Sequence, residues 1–356
     1  MDRLHIAFFG PANSGKSTLV NAICGQEVSL VSPVPGTTTD PVRKNVELPG
    51  LGACVLIDTA GLDDTGLLGP ERRRRTLAIL DETDVAVVLE PSLIPVLIED
   101  LTASGIPFVT YERGESVETL LEHLRAAAPR EEQRFLTGNL VKPGDCVLLV
   151  MPQDSEAPKG RIILPQVQVL RELLDRGCNA LCCTPGSLSS ALKRITPDMV
   201  ITDSQVFGLV NRELPADIPL TSFSVLLAGA KGDIRTFVEG AAAIDHLGPG
   251  DRVLIAEACT HVPDTEDIGR VKIPALLRKK ADIEVEIAAG NDFPEDLTPY
   301  SLIIHCGGCV ATRTLVQSRI KKALRSGVPI TNYGIAIAKL QGILERIVIP
   351  GCAGKD

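Results

Sequence analysis

Eight residues near the start, Gly10-Pro11-Ala12-Asn13-Ser14-Gly15-Lys16-Ser17, restrict what this chain can fold into more than any other feature. An apolar, strand-compatible run from Leu4 to Phe9 precedes them, and a helix-compatible run follows. The spacing is GxxxxGK followed by Ser or Thr. In that arrangement glycines let the backbone wrap closely, so that N–H groups and a helix N-terminus point at phosphate oxygens. Lys16 then neutralises the β- and γ-phosphates of a nucleotide and Ser17 holds Mg2+, with Gly10, Asn13, Ser14, Gly15 and Thr18 completing the loop. A plain glycine-rich turn is the alternative, and the strand before and helix after argue against it.

Two further motifs lie downstream at sensible spacing. Asp58-Thr59-Ala60-Gly61 closes a strand from Ala53 to Ile57, so that Asp58 reaches Mg2+ through water and the Gly61 N–H senses the γ-phosphate. Between the two motifs, Gly36-Thr37-Thr38-Thr39-Asp40 stands where a first switch belongs, and one of its threonines, Thr38 by preference, closes over the metal. Lys16, Thr38, Asp58 and Gly61 are the candidate catalytic residues. The run Arg72-Arg73-Arg74-Arg75 reads as a solvated helix face or as a docking point for a partner that senses nucleotide state.

These motifs resemble the small Ras-like GTPases, in the branch that includes the tRNA-modification GTPases. In that branch the P-loop asparagine, here Asn13, is associated with a potassium ion that offsets transition-state charge. Leu62 stands where Ras-like switches place a water-positioning Gln. The resemblance implies slow hydrolysis of Mg-GTP and admits a dependence on K+. One departure is plain: no NKxD follows either later strand. Val85 to Leu89 leads into Glu90-Pro91-Ser92, and Ile106 to Val109 into Thr110-Tyr111-Glu112-Arg113. The stretch from Ile106 to Ala127 reads as the last strand and helix of such a domain, as if an internal strand–helix unit were missing. Glu112 is either a substitute for the missing Asp or a solvated loop carboxylate.

Composition bounds the rest. A chain of 356 residues exceeds one ordinary core. Aromatics are 3% with no Trp, so cores are built from Val, Ile, Leu and Ala, which suits parallel sheets buried on both faces. A net charge of −9 argues against a nucleic-acid partner and against anionic membrane surfaces. The strand-like run at Leu4 leaves no room for a signal peptide, and no apolar stretch approaches the ~20 residues that span a bilayer. The expectation is a cytoplasmic protein with reduced thiols.

Strand and helix signals alternate almost to the end, with no short-period repeat, which predicts an α/β protein of mainly parallel sheets. Three domains are expected: a P-loop domain over 1–128, a second α/β domain over 129–231, and a third over 232–356. The first closes with a helix from Val117 to Ala127; Gly229-Ala230-Lys231-Gly232 marks the second boundary.

Two cysteine–histidine clusters sit in the last third, Cys259-Thr260-His261 and His305-Cys306-Gly307-Gly308-Cys309. Each follows an expected strand, Arg252 to Ala256 and Ser301 to Ile304, so both reach one sheet edge. Zinc and iron–sulfur are both open chemically. Structural zinc usually takes four protein ligands in a small domain that needs metal to fold. A [4Fe-4S] cluster on three thiolates leaves one iron for an exchangeable ligand, which favours Cys259, Cys306 and Cys309 as an open cluster site. Cys24, Cys54, Cys146, Cys178, Cys182 and Cys183 read as packing residues, and Cys352 lies in the tail.

The pattern CxH…HCxxC behind a Ras-like domain resembles the HydF family of [FeFe]-hydrogenase maturation GTPases. Ala157-Pro158-Lys159-Gly160-Arg161, Ile201-Thr202-Asp203-Ser204-Gln205, the segment Ile268 to Pro274, and Ile330-Thr331-Asn332-Tyr333-Gly334 extend the likeness along the chain. It implies GTPase, dimerisation and cluster-binding domains in a homodimeric scaffold. Such a scaffold receives a diiron precursor from radical-SAM maturases and delivers it to apo-hydrogenase, with His261 or His305 at or near the open iron. Rival readings are a metal-containing GTPase that modifies RNA or another substrate, and a zinc-stabilised nucleotide-switch binding protein.

Overall fold

A computed structural model describes residues 3–25, 41–62, 78–129, 135–153, 162–258, 267–290 and 292–351. The chain divides into two compact units, Met1–Glu132 and Gln133–Asp356.

The first unit carries β1 (Leu4–Phe9), β2 (Val42–Leu48), β3 (Gly52–Asp58), β4 (Val85–Leu89) and β5 (Phe108–Tyr111). They form one sheet in the order β2-β3-β1-β4-β5. Only β2 runs antiparallel, against β3. The central strands are buried along almost their whole length, as the Val-Ala-Val-Val-Leu of β4 requires with both faces covered. Helix Lys16–Cys24 starts at Gly15, whose φ of 98° suits a residue without Cβ. Helix Val117–Ala127 is capped by the Ser116 hydroxyl, which accepts from the Thr119 N–H, and buries Leu120 and Leu124. Among the described residues the sheet ends at β5.

The second unit holds two four-stranded sheets. β6 (Cys146–Val150), β7 (Asn179–Cys183), β8 (Met199–Thr202) and β9 (Leu220–Ser222) assemble as β7-β6-β8-β9. β10 (Arg252–Glu257), β11 (Glu284–Ala289), β12 (Leu302–His305) and β13 (Ile330–Asn332) assemble as β11-β10-β12-β13. Both sheets are wholly parallel. The expected boundary near 231 falls between these sheets, inside one compact unit with a shared core: Leu148, Val200 and Phe207 pack in the same cluster as Val253, Ile304 and Ile335.

The two sheets repeat one another in detail. Val150 is in register with Cys183 and Thr202, and Ala256 with Ala288 and His305. Each sheet is entered through Pro-Gly-Asp, at 143–145 and 249–251. Gly144 and Gly250 have φ of 92° and 83°, and their N–H groups donate to the carbonyls of Gly177 and Asp282. The Asp145 and Asp251 carboxylates accept from the backbone N–H of Lys142 and Gly248. Each half also ends in a helix that packs against its counterpart, Phe223–Lys231 against Tyr333–Leu340. Ser224 Oγ donates to Asn332 Oδ1 at 3.0 Å and accepts from the Gly334 N–H at 3.2 Å. This long-period repeat was not foreseen.

Candidate functional sites

Parallel strands put β1, β3, β4 and β5 at one carboxyl edge, and the glycine loop leaves β1 there. Asn13 and Gly15 both take positive φ, 61° and 98°, as a loop turning its N–H groups inward requires. Lys16 is 6% exposed, and its amine donates to the carbonyls of Gly10 at 3.0 Å and Pro11 at 2.6 Å, with Ser14 Oγ at 3.5 Å. Asn13 is exposed on the loop, Thr18 is exposed on the first turn of helix Lys16–Cys24, and Ser17 is half-buried.

Asp58, at the end of β3, is 1% exposed. Burial raises its pKa, against the lowering effects of the Ser17 hydroxyl and of the Lys16 and Lys44 charges. Its Oδ1 is buried without a hydrogen-bond partner. A hydroxyl and a carboxylate with one unsatisfied hard oxygen suit Mg2+ with its retained waters. Lys44 went unnoticed in the sequence because β2 was not foreseen; it is buried and donates to Asn21 Oδ1 at 2.6 Å.

Gly61 is dictated by close approach. A Cβ there would lie 2.6 Å from the Ala12 backbone nitrogen, and the next residue, Leu62, donates its N–H to the Gly10 carbonyl at 3.3 Å. The DxxG segment is thus packed directly on the phosphate loop. Thr38 and Arg72 to Arg75 lie outside the described residues. Past β5, Arg113 donates to the Asn13 carbonyl at 3.4 Å, while Glu112 is exposed. Glu115 Oε2 accepts from the Glu112 N–H at 3.3 Å, and Oε1 lies 3.3 Å from His123 Nδ1.

At the other site, β10 and β12 are adjacent, with Ala256 opposite His305. The Cys306 N–H donates to the Ala256 carbonyl at 2.9 Å, and the Ala258 N–H donates to Cys306 Sγ at 3.1 Å. The segment leading into Cys259 is therefore held against Cys306. Cys259 and His261 themselves lie outside the described residues. Cys306 and Cys309 are half-buried cysteines outside any disulfide, and Gly308 between them has φ of 64°. Soft sulfur donors on a glycine-freed turn fit a thiolate-bound iron–sulfur group or zinc. Among the described residues, no three metal-binding side chains come together.

His305 is fully buried. Its Nδ1 bonds the Cys306 carbonyl at 2.8 Å, and its Nε2 lies 3.3 Å from the Arg319 guanidinium. Since guanidinium only donates, Nε2 accepts and Nδ1 carries the proton. Burial, reinforced by the Arg319 charge and opposed by the Cys306 hydrogen bond, lowers its pKa to about 3. One nitrogen of this neutral ring holds the loop and the other meets Arg319. Among the other cysteines, Cys54 and Cys178 are buried as packing residues should be, but Cys182 is exposed on the edge strand β7.

Fold and sites together define a P-loop GTPase domain followed by a doubled parallel α/β unit that carries a paired-thiol loop. Residues 5–116 match the family model of the 50S ribosome-binding GTPase, 136–232 that of the hydrogen maturase F dimerization domain, and 235–350 that of the hydrogen maturase F tetramerization domain. The chain belongs to the hydrogenase maturase HydF family. Its likeness to curated GTPases covers less ground. The tRNA modification GTPase MnmE of Xylella fastidiosa is 45% identical over 89 residues, 25% of this chain and 20% of that one. GTPase Der of Caldicellulosiruptor saccharolyticus is 36% identical over 118 residues, 32% of this chain and 26% of that one. The chain thus spans about a quarter or less of these two relatives. Era of Aquifex aeolicus, a solved structure, superposes with a TM-score of 0.29 at 17% identity, covering 59% of this chain and 98% of that one. None of the described helices is long and apolar enough to cross a membrane.

Proposed function

We propose that this chain is a cluster-carrying scaffold for [FeFe]-hydrogenase maturation, with the nucleotide domain as a slow switch. Cys259, Cys306 and Cys309 ligate a [4Fe-4S] cluster, which supplies an open iron beside which the diiron precursor is held and released. The observation that carries this reading is the Ala258 N–H on Cys306 Sγ, which binds the approach to Cys259 to the CxxC loop. With both His305 nitrogens engaged by the loop and Arg319, His261 is the imidazole nearer to the open iron's needs. Iron and sulfide analysis of the anaerobically reconstituted full chain tests this. Four irons per chain with a matching spectroscopic signal supports it; one zinc per chain with no iron uptake overturns it.

Mg-GTP binds at Gly10 to Ser17, with Ser17 and Asp58 on the metal side and Thr38 closing over it when the γ-phosphate is present. With Leu62 after the DxxG, no side chain there positions the attacking water, so hydrolysis is slow. Asn13 serves the potassium ion: wild-type hydrolysis is expected to run faster in KCl than in NaCl, and Asn13→Ala equally in both. Equal wild-type rates in the two salts would refute this assignment.

Base selection follows from what occupies the end of β5. A pocket built to read hydrogen-bonding groups rejects the analogue lacking them by about 10⁴–10⁵. Here Glu115 is committed to its own turn and to His123, and Arg113 to the P-loop carbonyl. GTP over ATP discrimination in a competition assay is therefore expected below about 100-fold, well short of that range; a ratio near 10⁴ would show a base-reading group elsewhere. Self-association uses the face where helix Leu164–Asp175 exposes Leu164, Val167 and Leu174 beside Leu181 of edge strand β7. Radical-SAM maturases and the apo-hydrogenase are the partners this reading requires.

A further inference from the structure

The cysteine loop is completed by the half of the unit that precedes it. Lys231 is the last residue of helix Phe223–Lys231, which follows β9, yet it is 4% exposed beneath the turn after β12. Its ammonium donates to the carbonyls of Gly308 at 2.9 Å, Ala311 at 2.8 Å and Cys309 at 3.3 Å. Three hydrogen bonds to backbone carbonyls tie this buried ammonium to the turn, where losing them would leave polar groups unsatisfied.

The repeat supplies an internal comparison. Thr202 and His305 hold equivalent places, each in register with the residue that caps the following helix, Ser222 and Asn332. Nine residues past Ser222 stands Lys231; nine past Asn332 stands Gln341. The crossing is the same in both directions. Six residues past His305 is Ala311, whose carbonyl Lys231 binds, and six past Thr202 is Gly208, where a Cβ would lie 3.3 Å from Gln341 Oε1. The loop under Gln341, Asp203-Ser204-Gln205-Val206, has no cysteine, whereas the loop under Lys231 is Cys306-Gly307-Gly308-Cys309. A neutral amide faces the loop without thiols, and a cation faces the loop with them.

We propose that Lys231 is a positioning residue for the thiolate site: it fixes the 308–311 turn and places a cation beside the anionic, thiolate-bound cluster. The inference rests on the cluster reading above. A fixed cation beside a cluster favours its reduced form, so removing the charge lowers the reduction potential.

The test compares full-length wild type with Lys231→Gln, which installs the residue of the sister position, and Lys231→Arg, which keeps the charge. Each is reconstituted anaerobically, then followed by redox titration of the cluster signal and by cluster release to a chelator. In K231Q the potential is expected to move negative and release to accelerate about 10-fold or more, the scale on which outer-shell partners act. K231R should hold the wild-type potential. Wild-type potential and retention in K231Q would overturn the proposal while leaving the cluster reading intact, and equal shifts in K231Q and K231R would overturn the role of charge. Absence of iron in the wild type would remove both. Thermal unfolding of the metal-free proteins guards the comparison: a K231Q chain that is unfolded before reconstitution makes Lys231 a folding residue and ends the proposal.

Discussion

Cys306→Ala protein, reconstituted with iron and sulfide, is expected to lose the four-iron signal and to retain about a tenth or less of the wild-type iron, while binding Mg-GTP as the wild type does. The size of the loss follows from position. Cys306 lies at the carboxyl end of the strand next to β10, and its sulfur is the one that the Ala258 N–H meets. Such a hydrogen bond stabilises a thiolate and locks the approach to Cys259, so removing the sulfur removes one ligand and the anchor of another. The folding cost is small, since the thiol is only half-buried and alanine keeps the backbone bonds to Ala256 and Asn332. Nucleotide binding is spared because Gly10 to Ser17 and Asp58 belong to the separate unit Met1–Glu132. Loss of nucleotide and iron together would mean that the two units are not independent; an undiminished cluster would remove Cys306 from the ligand set.

The phosphate loop was readable because its function is a backbone conformation, and only glycine at 15 and a short polar residue such as Asn13 take positive φ easily. The central strands of the second unit were readable because Val147 to Val150 and Val253 to Ala256 are apolar and buried without interruption. Less visible was β2, Val-Arg-Lys-Asn-Val-Glu-Leu, a sheet edge where only one face is covered and one of the buried positions is the charged Lys44. Overlooking it hid Lys44 and its charge on Asp58. The repeat was hidden for a different reason. Most apolar positions interchange freely within a core, so what persists is backbone chemistry, the Pro-Gly-Asp turns before β6 and β10. His305 shows what residue type alone does not disclose: β12 extends through 305 and carries the ring into the interior, with Nδ1 on the Cys306 carbonyl and Nε2 against Arg319.

Asp58→Asn should act in opposite directions on the resting domain and on its reaction. Burial raises the Asp58 pKa, so the folded state holds a proton more tightly than the unfolded chain does. Its contribution to stability is therefore greatest below the unfolded pKa and is lost as pH rises through the folded one; at neutral pH the ionised carboxylate destabilises the metal-free domain. Asparagine has the same shape, keeps an oxygen for the Ser17 hydroxyl and carries no charge. The metal-free variant should thus unfold at higher temperature than wild type at pH 7.5, and the gap should narrow as pH falls through the raised Asp58 pKa. Mg2+ binding should weaken about 10- to 100-fold, the effect of removing an outer-shell carboxylate, and Mg-dependent hydrolysis should fall with it. Calorimetric unfolding without metal and magnesium titration of GTP hydrolysis measure the two halves. A metal-free D58N domain less stable than wild type at pH 7.5 would show that Lys16 and Lys44 outweigh burial at this carboxylate. Unchanged magnesium dependence would place the metal elsewhere than between Ser17 and Asp58.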